Sequence, residues 1–573
     1  MRRHARDWVR WHRGPQRTDS QNLASALTVL TVEELRTFIT DALPRLDDGI
    51  RAQLEDLLLL RAARGGSGWK PPPPSAAIVE NIRAFTAMAR RQGSAEPAEV
   101  DDCLRQALTA SLAGEHATAR AVFDTLLHPI THGDIFLGQD ELVDEVLSVD
   151  LEACVHHHIA AVYQTTPLPE RASAILQALD ASDGLAYLTD PLDAILQVLG
   201  KPPPDLDAFL PLWIDHLERE DSPSAMRSPR RERWFRAAVA RQEGIPGLAR
   251  IAHATKRPGD ADAWCNALVA EGAWSRALAA YETSITLVES DVARGRYLDG
   301  AALAAQVLER KDLRKKLEAA WQQAPTLPRL LRWLMAGDPS TAVLRRRATA
   351  ALAAPPSDAP PLLGLLHVLT GDLPSAAAHL TACPGLGWSR LDHPGHLLFA
   401  SFAWLLGGAP TGSLREELTL VLRQPPGDAF ELLPGVDLLP GVDLLPEVEE
   451  PARARKPVLH TPTVIDVLQR AEAISRLPLG APKLILDALK AAAVQRTEGV
   501  LGEKRRRTYD HAARLIACCV ELSDGPWGAG ETTRWAEGLR LRAARFPAFQ
   551  EALQAALGRA RRAGMAAEVG SGA

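Results

Sequence analysis

The fold is decided by residues 261–290, ADAWCNALVAEGAWSRALAAYETSITLVES. They read as two short helices meeting at Gly272. A tight turn between helices calls for a residue without a Cβ, because the backbone must enter the left-handed region. The small residue Cys265 lies seven positions before this glycine, and Ala277 and Tyr281 lie five and nine positions after it. Small side chains where two helices cross let their axes approach closely, and the aromatic ring fills the groove that remains.

The same spacing recurs on both sides of this stretch. In DDCLRQALTASLAGEHATARAVFDTLLHP, residues 101–129, the set is Ala107, Gly114, Ala119 and Phe123. In PLLGLLHVLTGDLPSAAAHLTACPG, residues 361–385, it is Gly364, Gly371, Ala376 and Leu380. This order of small residue, glycine, alanine and large residue resembles the tetratricopeptide repeat, in three units of roughly 34 residues each. The resemblance implies helix–turn–helix units stacked as an α-solenoid that binds another protein. The units are not in tandem, so the helices between them are degenerate repeats or of another type. The peptide-carboxylate clamp of some tetratricopeptide proteins is not matched. It wants a basic residue early in the first helix, where this chain has Asp262; Asn266 one turn on fits, but one match is no clamp. The halves of the chain also resemble helical-repeat proteins of high-GC bacteria, a resemblance that implies no activity.

Composition agrees with a helical reading. At 573 residues the chain exceeds one ordinary core, and 46% apolar with 24% charged residues is the globular range. Aromatics are only 5%, so leucine and alanine must do most of the packing, and alternating β-branched runs are scarce. The formal net charge of −6 exerts no general pull on nucleic acid or an anionic membrane. None of the six cysteines forms a CxxC, and they read as small buried residues in a reducing compartment. The N-terminus is basic without a following apolar core, so no signal peptide is read. The longest apolar run, near residues 397–406, is short of the ~20 residues that span a bilayer. A cytoplasmic protein of bacterial type is expected.

Along the chain, residues 1–64 form an N-terminal segment in which Trp8 and Trp11 stand among arginines. Such a stretch docks its tryptophans on the body or stacks on nucleic acid. Helices are predicted near 20–29, 32–45 and 48–63. Thr31 and Glu34 make a capping box, and most of the leucine run 57–60 should be buried. Residues 65–75, GGSGWKPPPPS, are a Gly/Pro linker. The solenoid is expected over 76–424, with Thr166 and Pro167 as N-cap and first-turn proline of one helix. Trp321 and Trp333 read as core, Leu303, Val307 and Leu308 repeat at helical spacing, and the helix starting at His396 should be deeply buried. Arg230, Arg231, Arg233, Arg236 and Arg241 surround Trp234 as a charge-rich helix start rather than a nucleic-acid face. Residues 425–457 form a Pro-rich linker in which LLPGVD is repeated. Residues 458–562 are a separate basic helical domain, and 563–573 a frayed tail.

Chemistry is sparse. The segment 128–158 gathers His128, His132 and Asp134, the pair Glu152 and His156, and the pair Cys154 and His158. These are zinc-ligand types, but without the spacing of a known site. GAGETT at 528 lacks the lysine of a phosphate loop, and GLGW at 385 lacks the third glycine of a dinucleotide fingerprint. No catalytic, cofactor or metal site is assigned. The expectation is an all-α helical-repeat solenoid that acts as a non-enzymatic scaffold or adaptor for a protein partner. Two alternatives stand beside it. One is nucleic-acid binding through Lys504, Arg505, Arg506, Arg507, Arg540, Arg542 and Arg545. The other is a metalloprotein or enzyme centred on the segment from His128 to His158.

Overall fold

The computed structural model describes residues 27–65, 68–139, 142–186, 188–219, 229–355, 360–388, 393–407, 412–425, 457–523 and 529–570. Trp8, Trp11 and the LLPGVD repeat lie outside them. Among the described residues every regular element is a helix, and the β structure is a single parallel bridge between Ser94 and Phe136. The chain forms two compact units, divided between Gly247 and Leu248, a boundary inside the stretch expected to be one solenoid.

The first unit contains α1 (Val32–Ala42), α2 (Asp48–Arg64), α3 (Ile78–Gln92), α4 (Pro97–Ala113), α5 (His116–Thr131), α6 (Leu151–Thr165), α7 (Leu168–Ala181), α8 (Pro191–Leu199) and α9 (Leu206–Arg219). From α4 to α7 each helix packs on the next. The helical run α10 (Pro229–Thr255) is broken at Gly244, shortly before the boundary between the units. Trp234 is buried in it, and Arg230, Arg231 and Arg241 pair with Asp183, Asp180 and Asp190. These arginines are occupied with carboxylates, as a charge-rich helix start requires.

The second unit opens with α11 (Pro258–Ala270), α12 (Trp274–Leu287), α13 (Asp291–Val307), α14 (Leu313–Gln323), α15 (Leu327–Met335), α16 (Thr341–Ala353), α17 (Pro360–Thr370), α18 (Leu373–Thr381), α19 (Pro394–Leu405) and α20 (Leu414–Arg423). Consecutive helices again pack in neighbouring pairs, the arrangement of a helical-repeat solenoid.

The three glycines are elbows between paired helices. Gly114, Gly272 and Gly371 have φ of 91°, 69° and 85° and sit between α4 and α5, α11 and α12, and α17 and α18. Each elbow closes with the same bond. The N–H of Glu115, Ala273 and Asp372 donates to the carbonyl of Ala110, Leu268 and His367 at 2.9, 3.0 and 2.9 Å. That bond satisfies a carbonyl the helix end would otherwise leave bare. The spaced partners are inside: Ala107, Ala119, Phe123, Cys265, Ala277, Tyr281, Ala376 and Leu380 are all buried. Close approach explains one of the small positions: a Cβ on Gly364 would stand 2.4 Å from Leu398. Gly300, outside the spaced sets, makes room in the same way, since a Cβ there would stand 2.4 Å from the Tyr281 ring.

The same bond also closes three turns without glycine. Arg310, Ala473 and Arg505 donate to Ala305, Leu468 and Val500, with Glu309, Glu472 and Lys504 at φ of 51°, 53° and 51°. A side chain in the left-handed region hides these elbows from a search for glycine.

The C-terminal stretch does not stand apart as expected. Its helices α21 (Val464–Arg470), α22 (Ala481–Gly502), α23 (Tyr509–Ser523), α24 (Ala529–Arg542) and α25 (Pro547–Gly570) belong to the second unit. They share one continuous core with residues from Ala302 to Leu422. α22 packs on α18 and α19, and α23 on α20. At the loop CPGLGW a Cβ on Gly385 would meet the carbonyl of Gln495 at 2.3 Å, so that glycine lets the loop lie on α22. The physical reason for the correction is apolar burial: Ile485, Leu489, Ile516 and Phe549 are fully covered and belong to this shared core. α25 runs on to Gly570, past the start of the expected tail.

Other expectations resolve residue by residue. The Thr31 and Glu34 capping box is present, Trp321 and Trp333 are buried and stacked, and α19 is buried along most of its length. Thr166 is not the N-cap of α7; Pro167 is, while the Thr166 hydroxyl donates to the carbonyl of Val162 at the end of α6. In α13 the buried face is Ala301, Ala302, Ala304 and Ala305, whereas Leu303, Val307 and Leu308 are half-buried. The leucine run is mostly outside: Leu60 is buried, but Leu57, Leu58 and Leu59 are exposed.

Candidate functional site

In the second unit a stretch without regular secondary structure, residues 457–463, precedes α21 and lies against the solenoid helices. Backbone outside helices and strands lacks the bonds those elements supply, so its polar groups need other partners. Gln306, near the end of α13, supplies them. Its amide nitrogen donates to the carbonyl of Val458 at 3.0 Å, and its amide oxygen accepts from the N–H of His460 at 3.0 Å. One side chain thereby takes both groups that a neighbouring strand would take, two residues apart. Between them Leu459 turns inward and is 7% exposed. Next along, the Arg332 guanidinium donates to the Thr461 hydroxyl at 2.8 Å.

Arg332 is itself held. It lies on α15 and is 2% exposed. Asp299 of α13 accepts from it at 3.3 Å and from Arg329 at 2.6 Å. Arg329 also donates to the carbonyl of Ala324 at 2.7 Å. Gly295 makes room for this: a Cβ there would stand 2.7 Å from both guanidinium nitrogens of Arg329. A buried carboxylate shared by two guanidiniums fixes the Arg332 side chain, since leaving either charge unpaired in this setting costs several kcal/mol.

Beside this segment a cleft of about 900 Å³ opens, lined by Leu313, Leu317, Met335, Thr341, Asp466 and Gln469 among others. Its charged rim is paired, with Arg470 on Asp338 and Thr341 on Glu472. Asp466 is engaged in the capping box of α21 with Thr463. The site therefore offers apolar floor and fixed hydrogen-bonding groups. Gln306, Asp299, Arg329 and Arg332 escaped the reading of the sequence. The one local signal was Asp299, a lone acid in an apolar stretch between Leu298 and Ala301.

The histidine-rich segment is dispersed into separate contacts. His128 and His132 stack on each other with ring centroids 3.9 Å apart, and Asp134 pairs with Arg90. His157 meets the Ser111 hydroxyl at 2.8 Å, His158 meets the Asp124 carboxylate at 2.7 Å, and His156 lies 3.7 Å from Glu152. Asp124 is held below its usual range by His158 and Arg120, whose pull outweighs its partial burial. Cys154 is buried and its thiol is pushed up by that burial. Among the described residues no three His, Cys, Asp or Glu side chains are grouped closely enough to share a metal ion.

The basic residues come to one end of the C-terminal helices. Lys504, Arg505, Arg506 and Arg507 form the exposed elbow before α23, and Arg542 and Arg545 lie exposed just before α25. Tyr509 at the start of α23 and Phe549 in the first turn of α25 meet edge to face at 5.8 Å, which brings those two helix starts together. Arg540 is half-buried and bound to Glu537.

Compared with protein families, curated proteins and solved structures, the chain matches none.

Proposed function

We propose that this protein is a non-enzymatic scaffold that holds a protein partner in extended form on its helical-repeat surface, with elbows of the tetratricopeptide kind. The observation that carries this reading is the seat of residues 457–463. Gln306 reads backbone without regard to sequence, Leu459 fills an apolar position, and Arg332 meets a hydroxyl. Those are the elements by which an extended peptide is recognised: main-chain bonds for affinity and alternate side chains for specificity. The adjoining cleft extends the surface beyond the chain's own segment. The test uses a fluorescent peptide PVLHTPT and the full chain carrying Leu459→Asp, which releases the resident segment. Saturable binding to that variant, at least tenfold weaker in the unsubstituted chain and lost with Gln306→Ala added, supports the reading. No binding to a variant that retains its helical circular dichroism contradicts it.

A second reading, nucleic-acid binding, is favoured by the shared end of Lys504, Arg505, Arg506, Arg507, Arg542 and Arg545. A gel shift at ~50 mM salt that disappears by ~200 mM, and is weakened by Arg506→Ala with Arg545→Ala, would support it, because phosphate contacts are strongly salt-dependent. Absence of a shift at the lower salt removes it.

A further inference from the structure

In the second unit the loop CPGLGW, residues 383–388, brings Trp388 against α19 and α23. Trp388 is buried, its indole N–H donates to the carbonyl of Pro384 at 3.0 Å, and its ring meets Phe399 of α19. Two imidazoles flank it. The ring of His393, the N-cap of α19, lies 5.1 Å from the indole, and the ring of His511 on α23 lies 5.6 Å from it. One residue after Pro384, the carbonyl of Gly385 accepts from Arg496 of α22 at 2.9 Å.

Both imidazoles are set as neutral groups. Nδ1 of His393 accepts from the N–H of Gly395 at 3.1 Å, and a ring nitrogen that accepts carries no proton. His511 lacks even that bond: its Nδ1 is buried without a partner. The charges that bear on it most are basic, namely Arg496 of α22, Arg514 one turn along α23, and His396 and His393 of α19 and its cap. α24 also packs on α23 and adds none to them. From α20, Glu417 stands 3.9 Å from Arg514 but also pairs with Arg559 of α25, so its charge is already shared between two guanidiniums. Arg496 is 4% exposed and its bond to the loop is to a carbonyl, not a carboxylate. A proton on His511 is therefore a buried charge without a counter-charge. The face of Trp388 attracts a cation weakly and offers no lone pair to the added N–H.

We infer that the seat of Trp388 is an acid-triggered latch, in which a proton taken up by His511 releases the loop from α22 and α23. The loop is the part that yields, because it lacks the internal hydrogen bonds that hold the two helices. Linkage sets the direction. In the closed latch, burial first and then the neighbouring arginines and histidines push the His511 imidazole down to about 3. Once the loop lifts, water reaches the ring and it titrates near the ordinary histidine value of about 6.5. The open form therefore binds the proton more tightly. Closure is complete above about pH 6.5 and weakens by about one decade per pH unit below it, until the pH reaches about 3.

The test is amide hydrogen exchange of the full chain, read by mass spectrometry and corrected for the intrinsic effect of pH. Peptides covering 383–388 and 393–400 report the latch, the second through the Gly395 amide, since a Cβ on Gly395 would stand 2.7 Å from the Trp388 ring. Between about pH 7.5 and about pH 5 their protection should fall ~30-fold, while that of α16 in the same unit stays unchanged. His511→Phe keeps a ring beside Trp388 without a titrating nitrogen, and the fall should shrink below ~5-fold; His511→Gln should do the same by a different side chain. Unchanged protection in the unsubstituted chain overturns the proposal, and so does an equal loss in α16, which is general acid unfolding. A fall that stays above ~5-fold in both variants overturns it as well, because another group is then the trigger.

Discussion

Leu459 and Leu57 are leucines with opposite surroundings. The first belongs to a segment outside regular structure and is 7% exposed; the second lies mid-helix and is 48% exposed. A helix settles its backbone internally, so α2 forms with its outer stripe still bare. A segment outside regular structure cannot, so residues 457–463 are held through Gln306, Arg332 and the buried Leu459. The difference teaches where this molecule recognises chain and where it offers surface. The groove of the second unit combines polar groups and apolar floor, whereas the exposed leucines of α2 offer apolar surface alone.

The contrast can be broken most forcefully at Arg332. Arg332→Ala strips one guanidinium from buried Asp299 and frees Thr461, and should cost about 3–5 kcal/mol, read as an early unfolding transition in urea. A loss below about 1 kcal/mol would mean the segment is not anchored there. Leu459→Ala should cost about 2–4 kcal/mol, while Leu57→Ala should lie within about 0.5 kcal/mol of zero. Equal effects at the two leucines would erase the distinction.

The elbows sharpen it further at smaller magnitude. Gly371→Ala forces a side chain into the left-handed region and toward the Arg345 guanidinium, 2.7 Å from the Cβ position, and should cost about 2 kcal/mol. Gly272→Ala meets open space and should cost only its backbone share, about 1 kcal/mol. Lys504→Gly relieves the same strain at an elbow built without glycine and should stabilise by about 0.5 kcal/mol. Thermal melts of the three variants would rank them.

The glycine elbows and their buried partners were legible because spacing and residue type carry the whole requirement. A left-handed residue, a small crossing residue and a large filler each have one physical reason. The elbows at Glu309, Glu472 and Lys504 were not legible, since any residue can be held left-handed by surrounding packing. Nor was the joining of α21–α25 to the solenoid core, because contacts such as that between Gly385 and α22 bridge more than a hundred residues of chain. The leucine run misled for a related reason: hydrophobicity states a need for burial, not what supplies it. The groove was invisible because Gln306 and Arg332 are ordinary helix residues until a distant segment arrives beside them.

The central claim is that the helical-repeat surface holds extended polypeptide through its backbone, and amide hydrogen exchange at His460 tests it most directly. The account predicts strong protection of that N–H in the full chain, falling toward the free-peptide rate in Gln306→Ala while the amides of α22 remain protected. An unsubstituted chain in which His460 already exchanges at the free-peptide rate would contradict it.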